Sequence, residues 1–247
     1  MHDIDVVTTE GLGRPGRVLV LCEHASAAFP ARFGTLGLSA EAANSHAAWD
    51  PGALDLARAL AGELDAPLVA AGVSRLLYDC NRPPEAPGAM TQQSEVFAIP
   101  GNRDLDARAR NARIREIYQP FIAEVGRVLD SIGARALVTM HTFTPVYNGL
   151  RREVEIGVLH DSDTRLADAM LEAAGADAPF DVRRNQPYGP EDGVTHSLKL
   201  HAISRGIANV MIEVRNDLVS TPDGVARVGA WLNPLIAGAL ATLAEAA

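Results

Sequence analysis

The sequence predicts an α/β fold with a mostly parallel or mixed sheet, and three observations lead there. Two apolar runs, Val18-Leu19-Val20-Leu21-Cys22 and Ala136-Leu137-Val138-Thr139-Met140, lack polar alternation and read as strands buried on both faces. Each closes abruptly on polar residues, Glu23-His24-Ala25-Ser26 in the first case and His141-Thr142 in the second. Ligands gather outside the carboxyl ends of strands in open α/β sheets, so histidines there have a reason to exist that core packing does not supply. Strand-like runs also alternate with helical periods along the chain, the signature of α/β layering. The 247 residues suffice for one domain with a full core, taken here as 1–247.

Residues 1–16 read as a frayed or edge segment ahead of the first strand. Phe29-Pro30 to Leu38 is a Gly/Pro loop, and Ser39 caps a short helix that runs toward Trp49. Asp50-Pro51 reads as a helix start, with Asp as the cap and Pro at the first helical position; Leu54, Ala57, Leu60, Ala61 and Leu64 then keep helical spacing. Leu68 to Ala71 and Ser74 to Tyr78 are expected strands. Asp79 to Arg103 turns to Pro, Gly, Asn and Gln, and a loop of that length inside a compact domain is usually functional. Asp104 opens a long helix whose stripe (Ile114, Tyr118, Phe121, Ile122, Val125, Val128, Leu129) continues past Pro120, where a kink is expected. After the His141 strand come a strand over Glu155 to His160 and a helix from Asp163 to about Ala174. A second loop over Asn185 to Gly193 follows, then a helix capped by Thr195 to about Arg205. Ile207 to Val214 is a strand, and a last helix starts near Pro222.

Composition narrows the partners. A net charge of −9 with no cluster of basic and aromatic residues argues against nucleic acid. No apolar run approaches the roughly 20 residues of a membrane span, and no secretory signal pattern opens the chain, so a cytoplasmic protein away from membranes is expected. The two cysteines, Cys22 and Cys80, fit reduced packing residues rather than a disulfide scaffold. Lys199 is the one lysine among 22 basic residues, and arginine suits two-point capture of a carboxylate. A small anionic substrate is the expected partner.

His24 and His141, at equivalent strand ends, are either hydrogen-bonded histidines or ligands for a metal ion. A catalytic metal typically takes three protein ligands, and Asp50 is the best third, although capping alone would also explain an Asp before Pro. His46 is a weaker alternative ligand, and His201 is a further histidine that could join the site. No H-E-x-x-H motif is present. Glu213, directly after Val210-Met211-Ile212, is either a general base and acid with a raised pKa or the salt-bridge partner of Arg215. Arg75, Asp79, Asn81 and Arg82 form either a carboxylate-gripping set or a surface turn; turn preferences explain Asn81 and Pro83 but not two arginines.

Five blocks in this order carry a resemblance: Cys22-Glu23-His24-Ala25-Ser26, Trp49-Asp50-Pro51-Gly52-Ala53, Arg75-Leu76-Leu77-Tyr78-Asp79-Cys80-Asn81-Arg82, Met140-His141-Thr142-Phe143 and Ile212-Glu213-Val214-Arg215-Asn216-Asp217. Together they resemble the N-formylglutamate amidohydrolase family, from about Arg17 to the C-terminal helix. That resemblance implies a three-layer α/β/α sandwich around a mixed, mostly parallel sheet, like that of zinc-dependent exopeptidases. It implies one divalent metal, zinc foremost, on His24, Asp50 and His141. Glu213 would be the general base and acid, Arg75 the oxyanion stabiliser, and Asn81 with Arg82 the grip on a substrate carboxylate; Arg215 and Ser26 are further candidates on the substrate side, Ser26 in a supporting place since a metal-bound water makes a serine nucleophile unnecessary. The expected reaction converts N-formyl-L-glutamate and water to formate and L-glutamate. A peptidase or cell-wall amidase on the same scaffold, and a non-catalytic ligand- or metal-binding protein, are the competing readings.

Overall fold

The chain, described over residues 4–245 in a computed structural model, is built on a seven-stranded sheet. In order it comprises β1 (Val7–Glu10), β2 (Val18–Cys22), α1 (Ala40–Asn44), α2 (Ala53–Glu63), β3 (Leu68–Ala71), β4 (Gln93–Ser94), β5 (Phe97–Ala98), α3 (Ala107–Arg113), α4 (Gln119–Ser131), β6 (Ala136–Phe143), β7 (Val146–Tyr147), β8 (Leu150–Arg151), β9 (Ile156–Leu159), α5 (Arg165–Ala174), β10 (Val182–Arg184), β11 (Ala208–Arg215) and α6 (Pro222–Glu245). The sheet order is β1-β3-β2-β6-β11-β9-β10. β3, β2, β6 and β11 run parallel, β1 joins antiparallel to β3 and β9 antiparallel to β11, and β10 pairs parallel with β9, which makes the sheet mixed.

Alternate residues feed two cores. Leu19, Leu21, Val69 and Leu137 face the layer containing Ile117, Phe121 and Val125. Val20, Cys22, Ala70, Val138, Met140 and Ile212 face α2, α5 and α6. Both faces of the central strands are therefore covered, as their unbroken apolar runs require. The result is the expected three-layer sandwich.

The chain leaves β2 toward β3 on one side and later returns through β6 on the other, so the strand order switches direction between β2 and β6. Crevices outside the carboxyl ends of strands at such a switch are where α/β sheets bind ligands.

Several expected elements differ. Residues 7–10 of the expected edge segment form the edge strand β1, and residues 1–3 lie outside the described residues. Ser74 to Tyr78 is not a strand but an irregular turn: the Ser74 hydroxyl donates to the Ala48 carbonyl (2.8 Å) and accepts from the Leu76 N–H (3.2 Å). Asp50 does not cap a helix. α2 begins at Ala53 after Gly52, whose φ of +84° no other residue adopts easily, and Pro51 belongs to the intervening turn. The long helix starts at Asp106, which caps α3 through the Ala109 N–H, and not at Asp104. A π-type turn over Ile114–Tyr118 joins α3 to α4 just before Pro120, so the proline's missing donor falls at a place where the ladder is already altered. Residues 198–205 are a π turn followed by a 3-10 turn, and the Thr195 hydroxyl donates to Asp161 (2.6 Å) instead of capping.

α6 is, by length and composition alone, long and apolar enough to cross a membrane, a test that core helices of a sandwich also pass. Its Val228, Leu232, Ile236 and Ala239 stripe packs with α2 and α5 in the outer layer of the sandwich.

Candidate active site

Register brings the chemistry together. Glu213 of β11 lies beside His141 of β6 in the parallel ladder, and both follow the parity of the Leu137 and Met211 face. β2 ends at Cys22, and the turn after it carries Glu23 and His24. Asp50 is held next to that turn because its N–H donates to the His24 carbonyl (2.9 Å). With no helix end to cap, its carboxylate is free to point into the crevice.

There Asp50 Oδ2 sits 3.2 Å from His24 Nδ1 and 2.9 Å from His141 Nδ1, and the two Nδ1 atoms are 3.1 Å apart. All three residues are buried, and one donor atom from each falls within 4.8 Å of the others. The opposite ring nitrogens meet other carboxylates: His24 Nε2 lies 2.7 Å from Asp79 Oδ1, and His141 Nε2 lies 3.0 Å from Glu23 Oε2. Two imidazole nitrogens and a carboxylate oxygen converging in a buried spot are the donor set that a divalent ion takes. His24, Asp50 and His141 therefore fit a metal, and the helix-capping alternative for Asp50 fails.

Electrostatics follow from burial opposed by partners. Burial pushes the Asp50 carboxyl up, but His24 and the hydrogen bonds from both histidines outweigh it and hold the group well below the usual carboxylate range. Asp79 behaves likewise, with Arg75 as its main opposing partner. Glu213 behaves in the opposite way. Burial pushes it up to about 7, resisted by His141 and reinforced by Asp50. Its Oε2 is buried without a hydrogen-bond partner, and the Arg215 alternative is ruled out: that guanidinium donates to Glu155 (3.2 Å), Asp217 (2.8 Å) and the Glu153 carbonyl (2.9 Å).

A cavity of about 410 Å³ opens over these groups and is lined by His24, Asp50, His141, Glu213, Arg75, Asn81 and Arg82 among others. Arg75 is fixed from below by Asp50 Oδ1 (3.3 Å) and Asp79 Oδ2 (2.7 Å). Arg82 Nη1 donates to the Asp192 carbonyl (2.9 Å), which ties it to the second Pro/Gly loop. Asn81 is a tether in part: its Nδ2 donates to the Val194 carbonyl (2.5 Å) and its Oδ1 accepts from the Ser197 N–H (2.9 Å).

Not every residue read from the sequence arrives here. The Ser26 hydroxyl accepts from the Ala28 N–H (3.0 Å) within its own turn, and neither Ser26 nor Arg215 lines the cavity. His46 lines it but pairs with Glu95 (2.8 Å), away from the donor set, and His201 is buried in the helical segment outside it. Sequence reasoning missed Glu23, Glu95 and Tyr188, and saw Asp79 only as part of a polar turn. Glu95 bridges His46 and the Asn148 N–H (2.8 Å), joining the β4–β5 hairpin to the β7–β8 hairpin at the cavity wall. Tyr188 lines the same wall, its hydroxyl pushed up to about 12 by burial, with Arg152 stacked 4.8 Å from its ring. Tyr188 stands in the Pro/Gly loop at Asn185 to Gly193, the one signal that could have pointed to it.

An α/β sandwich that gathers a His/Asp/His group, an unpaired buried carboxyl and two arginines around one cavity at a strand-order switch has the parts of a hydrolytic enzyme. The particular family is shown by sequence: the model of the N-formylglutamate amidohydrolase family matches residues 16–220, and the chain belongs to that family. A gene product of Agrobacterium tumefaciens of known crystal structure is 52% identical, with a TM-score of 0.94 over 97% of this chain and 96% of that one. The crystal structure of N-formylglutamate amidohydrolase from Ralstonia eutropha is 19% identical, with a TM-score of 0.71 over 94% of this chain and 96% of that one, and shows the same fold. Among curated proteins none matches this chain by sequence.

Proposed function

We propose that the protein hydrolyses the amide bond of an N-formyl or other short N-acyl amino acid, with N-formyl-L-glutamate as the first substrate to test. It would do so with one divalent cation, zinc foremost, held by His24, Asp50 and His141, the buried group whose ligand atoms lie within 4.8 Å of one another. The observation that carries the reading is Glu213, an unpaired buried carboxyl pushed up to about 7 on the strand next to His141 and facing the same cavity as the donor set. A cation in that set supplies Lewis acidity, lowering the pKa of water and polarising a carbonyl.

The rest falls to the chain's own groups. A pKa near neutrality suits Glu213 to both halves of a proton transfer: its carboxylate takes a proton from the attacking water, then returns it to the departing nitrogen. Arg75, locked by two carboxylates, leaves further N–H donors for the charge that develops on the substrate oxygen, where a donor contributes most. Arg82, steadied by the Asp192 carbonyl, offers its remaining N–H groups to a substrate carboxylate, while Asn81 holds the turn that carries it. Water supplies the hydroxyl of the released formate, and Glu213 ends each cycle with the protonation state it began with.

The test is release of formate from N-formyl-L-glutamate before and after chelation. Turnover that is lost on chelation and restored by zinc supports the reading; full activity in metal-stripped protein contradicts it. A panel that extends to peptides and cell-wall fragments separates this activity from a peptidase.

A further inference from the structure

Glu23 is 1% exposed, and its ion-pair partner among the described residues is His141 and no arginine. Among the described residues neither Glu23 oxygen has a hydrogen bond of regular geometry; its near neighbours are His141, whose equally unbonded Nε2 lies 3.0 Å from Oε2, and Ser197. An ionised carboxylate in such a place is costly unless one partner compensates it well. Register explains how the partner is found. Leu21 pairs with Thr139 across the parallel β2–β6 ladder, so two residues further on Glu23 comes level with His141, whose other neighbour in the sheet is Glu213.

The contact has a chemical consequence. Were a cation to engage Asp50 and the facing ring nitrogens, Nδ1 would have to give up its proton, and the Glu23 carboxylate 3.0 Å from Nε2 favours the one proton of the neutral imidazole on that nitrogen. Nδ1 is then left with a free lone pair, and Nδ1 is the atom that faces Asp50 Oδ2 (2.9 Å) and His24 Nδ1 (3.1 Å). With the proton on Nδ1 instead, His141 could not ligate from that position. We propose that Glu23 is a positioning residue of the metal centre: it fixes the tautomer and ring orientation of His141 so that Nδ1 is presented to the cation. The inference rests on the metal reading above and goes beyond it, because it concerns a residue that touches neither cation nor substrate.

Glu23→Gln is the informative variant. It keeps the shape, but its amide N–H can donate to Nε2 and so stabilise the wrong tautomer. Glu23→Asp keeps the charge with a shorter reach. Zinc affinity of the chelator-stripped proteins would be measured by calorimetry, and their metal-free melting temperatures by circular dichroism. The zinc-loaded proteins, labelled with 15N-histidine, would be read by NMR. The expected result is zinc binding weakened by about 10- to 100-fold in Glu23→Gln, the range seen when a ligand's outer partner is lost. Glu23→Asp should fall between it and the parent. In the metal-free protein His141 favours the ionised Glu23, so Glu23→Gln should melt somewhat lower at neutral pH and Glu23→Asp closer to the parent. The parent should show a proton on His141 Nε2, and Glu23→Gln should lose or broaden that signal. Parent-like affinity in Glu23→Gln, an unchanged His141 Nε2 proton signal in that variant, or zinc affinity as low in Glu23→Asp as in Glu23→Gln, would overturn the proposal. A parent protein that takes up no zinc would overturn the metal centre and the proposal with it.

Discussion

Glu213 is the residue on which chemistry and stability pull apart. Its carboxyl titrates at about 7 in the fold against an ordinary value of 4.5, because burial disfavours the charge. The folded chain therefore holds this proton more tightly than the unfolded chain, and stability falls as pH rises from 4.5 to 7. The deficit is up to about 3 kcal/mol above that window. Glu213→Gln should remove it: metal-stripped variant should melt higher than metal-stripped parent at pH 8, with little difference at pH 4.5. The same change should lower kcat by about 10²- to 10⁴-fold, the usual contribution of a general base, with a smaller effect on KM. In the parent, kcat/KM should rise with pH along a limb no higher than about 7, since the base must be ionised and a nearby cation favours that form. His201 titrates in the other sense. Burial, followed by Arg205, lowers it to about 4 from 6.5, so the unfolded chain takes the proton first as pH falls. Native stability is thus lost between pH 6.5 and 4 by up to about 3 kcal/mol. Denaturant melts of His201→Leu should show a shallower acid slope than the parent in that window.

At the scale of elements, the short turn before α2 places Asp50, one of the candidate metal ligands, and Gly52 is its tightest point. Its φ is +84°, and a Cβ there would meet Val219 Cγ2 at 2.6 Å, so Gly52→Ala should cost about 1–3 kcal/mol in denaturant melts and weaken zinc binding by shifting Asp50. That turn also shows how far the sequence could be read. β2, β6 and β11 were legible because a strand buried on both faces has no alternation, and the polar residue ending each run marked the sheet edge. Asp50-Pro51 carried a helix-start signal that the φ of Gly52 overrides. Ser74 to Tyr78 looked like a strand because Leu76, Leu77 and Tyr78 are apolar; they are buried, but in a turn pinned by Ser74. The two hairpins framing the cavity have strands of only two residues, too short for any period to show. Glu23 and Glu95 act through partners more than forty positions away, which a local pattern does not encode.

For the whole molecule, the candidate metal ligands come from three separate stretches of chain: the turn after β2, the turn before α2, and β6. The unfolded chain scatters these donors, so an ion bound only by the fold stabilises it by mass action, about 2.7 kcal/mol at a free concentration one hundred times Kd. Saturating zinc should therefore raise the melting temperature of the stripped protein, and His141→Ala should not respond. The most direct test joins occupancy to turnover: zinc is titrated into chelator-stripped protein while formate release from N-formyl-L-glutamate is followed. The account predicts that activity rises linearly and stops at one equivalent per chain in the parent, and stays at background in His141→Ala at every ratio. Activity in the stripped parent, or zinc-dependent activity in His141→Ala equal to the parent's, would contradict it.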